Sequence, residues 1–169
     1  MKNIVLLGFM GTGKTAIGKR VAEKLEMEYL DIDNLIELEA KIPISEIFSL
    51  FGEEHFRDLE SKIAKTVSKY ENKVIATGGG IVLRKENMDN LRQGGVLICL
   101  TARPEVILER TQKEHHRPLL EVDYPLVTIK ELLAYRAPFY AQADYSLDTS
   151  DLTIEQVAEK VIALFKESK

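Results

Sequence analysis

A single cysteine, Cys99, leaves no partner for an internal disulfide, so no cross-linked framework holds this chain together. Cys99 sits in the apolar run Val96-Leu97-Ile98-Cys99-Leu100, where a small buried hydrophobe is the natural role. Histidine is almost as scarce: there are three, and His115 and His116 are adjacent, without the helical spacing that aims two imidazoles at one metal. They read as exposed residues of a polar segment. No apolar run approaches the length of a secretory core or a membrane span, and the expectation is a soluble cytoplasmic protein with no membrane partner. Excess positive charge is missing too. A formal net charge of −4 repels phosphate polymers, so nucleic acid is not an expected partner, and an anionic ligand must be held by local cations. No repeat, low-complexity tract or Pro/Ser-rich linker divides the 169 residues, which predicts one domain over 1–169, expected to be a monomer.

What the chain does have is concentrated near its start. Gly8-Phe9-Met10-Gly11-Thr12-Gly13-Lys14-Thr15 follows the apolar run Ile4-Val5-Leu6-Leu7 and matches GxxxxGK[ST]. After a buried strand the chain must turn sharply, and Gly8, Gly11 and Gly13 tolerate positive φ and let backbone N–H groups face one oxyanion. Lys14 adds a mobile charge and Thr15 a hydroxyl for Mg²⁺, while the helix that follows points its partly positive end at the same phosphates. Gly11, Thr12, Gly13, Lys14, Thr15 and Ala16 are therefore the expected contacts of ATP. The same letters hold a rival: Gly11, Gly13 and Ala16 spell GxGxxA, with Asp31 and Asp33 about twenty residues on, as in dinucleotide-binding folds. It ranks second, because its first glycine lies four residues past Leu7 and Lys14-Thr15 would go unused.

Short apolar runs alternate with amphipathic stripes. Strands are expected at 3–7, 28–31, 73–77, 96–100 and 145–148. Between them run the stripes Ile17, Val21, Leu25; Phe56, Leu59, Ile63, Val67, Tyr70; Val106, Ile107, Arg110; and Ile154, Val157, Val161, Leu164. Thr128 with Glu131 and Thr153 with Gln156 read as capping boxes. This alternation predicts an α/β fold, a three-layer αβα arrangement on a five-stranded parallel sheet, with ligands at the carboxyl ends of the strands. Those ends carry Gly8 onward, Asp31-Ile32-Asp33 and Gly78-Gly79-Gly80.

Asp31 and Asp33 are expected to alternate across a strand end, one facing a metal-phosphate site and the other an acceptor. Asp33 also stands in front of Asn34-Leu35-Ile36-Glu37, where an N-cap is the competing role. Arg57, four residues from Glu53 and three from Glu60, has a surface ion pair as its alternative. Arg110 and Arg136 have solvated helix positions as theirs. Arg117 lies in the polar stretch Lys113-Glu114-His115-His116-Arg117-Pro118, which predicts a lid over about 112–124 that brings an arginine to a transferring phosphoryl group.

As a set, these residues resemble the shikimate kinases of the nucleoside-monophosphate-kinase-like P-loop fold. The signals are GFMGTGKT, Leu30-Asp31-Ile32-Asp33 leading to Ile36-Glu37, Phe56-Arg57 with Glu60, Gly78-Gly79-Gly80, Arg117-Pro118-Leu119-Leu120 and Tyr135-Arg136-Ala137-Pro138. The resemblance implies transfer of the γ-phosphoryl of MgATP to the 3-hydroxyl of shikimate. It implies Lys14, Asp33 and Arg117 as catalytic residues and Asp33, Arg57, Gly79, Gly80 and Arg136 as the shikimate site, within an acceptor segment at about 33–60. It also implies Arg110 and Arg117 at the nucleotide, and Thr15 with a water-mediated Asp31 at magnesium. One departure is visible: after Leu147-Asp148-Thr149 stands Ser150-Asp151-Leu152, not an Asn/Arg-rich loop with a proline. The alternatives are a kinase of gluconate or of a nucleoside monophosphate, and a non-catalytic nucleotide-binding homologue.

Overall fold

The computed structural model describes residues 1–113 and 122–168. Strand β1 (Asn3–Leu7) runs into helix α1 (Lys14–Leu25), then β2 (Glu28–Asp31), α2 (Ile32–Ala40), a long α3 (Ile44–Val67) and β3 (Lys73–Ala76). A 3-10 turn (Ile81–Leu83) and α4 (Lys85–Gly94) lead to β4 (Gly95–Thr101), α5 (Pro104–Gln112), α6 (Pro125–Tyr140), β5 (Tyr145–Asp148) and α7 (Ile154–Glu167). The strands form one sheet in the order β2-β3-β1-β4-β5, and every neighbouring pair is parallel.

β1 is flanked on both sides, with Ile4 level with Val74 of β3 and Val96 of β4, and all five of its residues are buried. Its side chains alternate between two cores, as a strand's two-residue period requires. Val5 and Leu7 join Ile75, Leu97 and Cys99 against α2, α3, α4 and α6 through Ile36, Phe56, Met88, Leu91 and Ile129. Ile4 and Leu6 join Val74, Val96 and Ile98 against α1 and α7 through Ile17, Val21, Val161 and Phe165. These are the three αβα layers expected. The strand order turns around at β1, and the glycine-rich loop that follows it lies at the carboxyl end of the sheet.

Three local expectations are corrected. Asp31 ends β2 and Ile32 opens α2, so Asp31 and Asp33 do not alternate along a strand. The N-cap of α2 is Asp31, whose Oδ1 accepts from Asn34 N at 3.2 Å, and Asp33 sits in the first helical turn. Thr128 makes no capping box: α6 starts earlier, at Pro125, and the Thr128 hydroxyl bonds back to Tyr124 O. Thr153 and Gln156 do form theirs, by reciprocal bonds of 2.9 and 3.1 Å. Inside α3, Gly52 takes φ 83° and ψ 171°, a break that only a residue without Cβ makes cheaply. The acceptor segment thus contains a kinked helix, and Tyr70 lies beyond its end, exposed.

Candidate active site

Gly8, Gly11 and Gly13 have φ of 143°, 77° and 92°. Gly13 caps α1 in the left-handed region with no side-chain bond to the first turn, so the N–H groups there are aimed outward, as an anion site needs. Thr12 is buried, and its hydroxyl bonds to Phe9 O at 2.7 Å, bracing the loop from within. Lys14 Nζ donates to Gly8 O and, at 2.9 Å, to Phe9 O, which lays the ammonium across the loop where phosphate oxygens would compete for it. Thr15 is exposed at the first turn of α1.

The residues expected at the acceptor converge on Gly78-Gly79-Gly80, just past the end of β3. A Cβ on Gly78 would lie 2.9 Å from Asp33 Oδ1 and 3.2 Å from Glu60 Oε2. On Gly79 it would lie 3.1 Å from Arg136 Nη1 and 3.6 Å from Gly8 O, and on Gly80 2.6 Å from Arg57 Cζ. The missing side chains let two arginines and two carboxylates gather around one turn, and Gly79 joins that group to the phosphate loop. Arg136 is buried, its guanidinium 5.6 Å from the centre of the Phe9 ring inside that loop. The solvated-helix alternative for Arg136 is thereby set aside.

Arg57 is not a surface residue either: its side chain is 13% exposed. It bonds Glu60 Oε1 at 3.0 Å and Glu53 Oε1 at 3.2 Å, and its guanidinium lies 5.2 Å from the Phe56 ring. Glu60 is fully buried, and among the described residues its Oε2 and Arg136 Nε make no hydrogen bond. Burial pushes the Glu60 carboxyl up to about 7, the attraction of Arg57 pulling against it and Asp33 adding repulsion. Tyr140 donates to Gly79 O at 2.7 Å and fixes the turn, and burial pushes its phenol up to about 12.

At the opposite end of the loop, Arg110 Nη1 bonds Gly11 O at 3.2 Å and Thr149 Oγ1 at 3.1 Å, and its Nη2 bonds Thr149 O at 3.0 Å. Its guanidinium therefore ties the phosphate loop to the turn after β5 and is not a solvated helix residue. The departing segment there is closed on itself: Arg103 holds Asp151 through both its Nη atoms, at 2.8 and 3.1 Å, and Arg103 N donates to Ser150 Oγ. Asp31 has both oxygens engaged, Oδ2 accepting from Tyr29 OH at 3.3 Å in addition to the cap. Arg117, His115 and His116 lie outside the described residues. Cys99 is buried with its thiol pushed up to about 11, which suits a packing residue.

A family model described as shikimate kinase matches residues 10–166. The chain belongs to the shikimate kinase family. It is 54% identical over 162 residues to the shikimate kinase of Thermodesulfovibrio yellowstonii, covering 96% of this chain and 94% of that one. To the shikimate kinase of Caldanaerobacter subterraneus subsp. tengcongensis it is 53% identical over 165 residues, 98% and 96% of the two chains. Among solved structures, shikimate kinase from Acinetobacter baumannii in complex with shikimate superposes with a TM-score of 0.94 at 35% identity, over 100% of this chain and 95% of that one.

Within a shikimate kinase site, Glu60 and Tyr140 are the members that reading the sequence left without a role. Glu60 had a signal: with Phe56, Ile63 and Val67 it follows the 4-3-4 spacing of the buried stripe, so an acid stood on the apolar face of α3. Tyr140 ends α6, four residues from Arg136 and on the same face. Nothing in the letters marked its bond to Gly79.

Proposed function

We propose that this chain transfers the γ-phosphoryl group of ATP to the 3-hydroxyl of shikimate. The observation that carries this reading is the meeting of Arg57, Arg136 and Asp33 at Gly78–Gly80, next to Gly8 of the phosphate loop. Two planar guanidinium forks suit a carboxylate, which each can grip by two parallel bonds. A carboxylate on the same turn suits the hydroxyls of a small acceptor. Asp33 orients the acceptor hydroxyl and takes its proton. The loop amides and Lys14 neutralise the charge that builds on the phosphoryl oxygens, and Arg117 completes that neutralisation from the lid.

Magnesium fits the donors present. Thr15 offers an open hydroxyl at the start of α1, and Asp31, its oxygens already engaged by Asn34 and Tyr29, suits a contact through water. Among the described residues no three His, Cys, Asp or Glu side chains gather around a metal. Bound there, magnesium would offset charge on the β- and γ-phosphate oxygens. Arg110, anchored between Gly11 and Thr149, would lie along the nucleotide base.

A monomer working in the cytoplasm accords with this reading, since the phosphate loop and the acceptor cluster come from a single chain. No helix among the described residues is long and apolar enough to cross a membrane. The decisive experiment is a coupled ADP-release assay with shikimate, gluconate and nucleoside monophosphates as acceptors. Turnover that needs both shikimate and Mg²⁺ supports the proposal, whereas turnover with gluconate or a nucleoside monophosphate and none with shikimate overturns it.

A further inference from the structure

The acceptor cluster has a charge balance that binding must upset. Arg57 and Arg136 face Asp33 and Glu60 around Gly78–Gly80, so among the described residues the two cations match the two anions when all four are ionised. Tyr140, from α6, is among the described residues the further titratable group bonded to this turn, and burial keeps it protonated. On the outer side of Arg57 stands Glu53, exposed to water, and Arg84 turns away from Glu60 to bond Asp58 and Ser61. An arriving carboxylate brings a third negative charge to a place where water is largely excluded. Glu60 absorbs the change: it is fully buried, one oxygen faces Asp33 across Gly78, and among the described residues its ion-pair partner is the arginine that the new carboxylate takes.

Resting on the acceptor reading above, we propose that Glu60 takes up a proton when shikimate binds, so that a neutral carboxylic acid releases the Arg57 fork to the substrate carboxylate. The balance closes. One proton comes from solvent, and two guanidinium ions then face Asp33 and the substrate carboxylate. The Glu60 hydroxyl becomes a donor placed toward Asp33, replacing a repulsion by an attraction. The empty site is poised for this step, since burial already brings the Glu60 carboxyl near neutrality.

The test is calorimetric titration of the full chain with shikimate at about pH 8, in phosphate and in Tris, whose ionisation enthalpies differ widely. The expected result is a binding enthalpy that depends on the buffer, corresponding to uptake approaching one proton, and a Kd that rises up to about tenfold per pH unit above neutrality. Glu60→Gln is expected to remove the buffer dependence and flatten the pH profile. Equal enthalpies in the two buffers for the wild type overturn the proposal, and so does an unchanged buffer dependence in Glu60→Gln. Should that variant not fold, difference infrared spectroscopy of the wild type reads the same proton: a protonated-carboxyl band that appears with shikimate and shifts on ¹³C-glutamate labelling supports Glu60. The absence of the band, or a band that ignores the label, overturns it. No shikimate binding at any pH sinks the acceptor reading itself, while binding without proton uptake sinks only the role of Glu60.

Discussion

Arg57 Nη1 lies 3.0 Å from Glu60 Oε1, so the cation best placed to receive an acceptor is already joined to a buried anion. For Glu60, loss of water outweighs what Arg57 returns, because the carboxyl sits at about 7 and not below its ordinary 4.5. The pair therefore costs stability, which suits the acceptor role proposed for Arg57.

The pH dependence follows. A folded-state value of about 7 against 4.5 means that the folded chain holds the extra proton between those limits. Glu60 therefore subtracts stability as pH rises from about 4.5 to about 7, by an amount on the order of 3 kcal/mol once fully ionised. Glu60→Gln is expected to unfold at a higher urea midpoint than wild type at pH 8, with the advantage shrinking toward pH 5. A variant weaker than wild type at pH 8 would mean that the pairing with Arg57 outweighs desolvation.

Arg57→Ala leaves Glu60 buried without its cation and removes one fork of the carboxylate clamp. Shikimate affinity is expected to fall by about 2–5 kcal/mol, with ATP affinity little changed. Adding Glu60→Gln is expected to return stability but not shikimate affinity. Recovery of both would show that Arg57 serves the fold and not the substrate.

Much of this was legible in the letters. Three of the five strands, β1, β2 and β5, begin and end where expected; only β1 is buried throughout, as the middle strand of a parallel sheet must be, while β2 and β5 stand at its edges and mix apolar with polar residues. The family signature singled out the residues now proposed for the acceptor before any geometry did. What stayed hidden needed the third dimension. Asp31 and Asp33 are both good caps by type, and only the early start of α2 at Ile32 decides between them. Arg57 has near neighbours in sequence that suit a surface pair, and only the packing of α3 against the Gly78 turn shows that one of them is inside. Thr128 with Glu131 mimics a helix start, but Pro125 at the first turn begins α6 sooner.

Gly80 has φ −95°, which alanine adopts without strain, yet a Cβ there would lie 2.6 Å from Arg57 Cζ. The guanidinium is held by Glu53 and Glu60, so it must shift from its place in the clamp. Gly80→Ala is expected to raise the KM for shikimate several-fold or more while leaving the KM for ATP and the melting temperature near wild type. A large loss of thermal stability with normal acceptor affinity would assign Gly80 to the fold alone.

Lys14 spans the loop from Gly8 O to Phe9 O and is replaced there by nothing else within the described residues. Lys14→Ala is expected to lower kcat by orders of magnitude and to change shikimate affinity little, because its charge acts on phosphate oxygens more in the transition state than in the ground state. Equilibrium binding of shikimate without nucleotide separates the two effects. Turnover close to wild type would remove the phosphate-loop argument.

Asp31 and Asp33 exchange the capping role that the sequence offered to Asp33. Asp31 caps α2, so Asp31→Ala is expected to cost about 1 kcal/mol of stability, and Asp31→Asn much less, since asparagine caps as well as aspartate. The cap of α2 is Asp31, and Asp33 lies by Gly78, across from Glu60, so Asp33→Asn eases that repulsion and keeps a side chain that can hydrogen-bond. It is expected to melt no lower than wild type and to lose most of its kcat, because the amide can orient a hydroxyl but cannot take its proton. The measurement is a melting curve beside a steady-state assay at saturating shikimate. If Asp33→Asn keeps most of its turnover, Asp33 orients the acceptor without acting as a base, and activation of the hydroxyl falls to Lys14, Arg117 and magnesium.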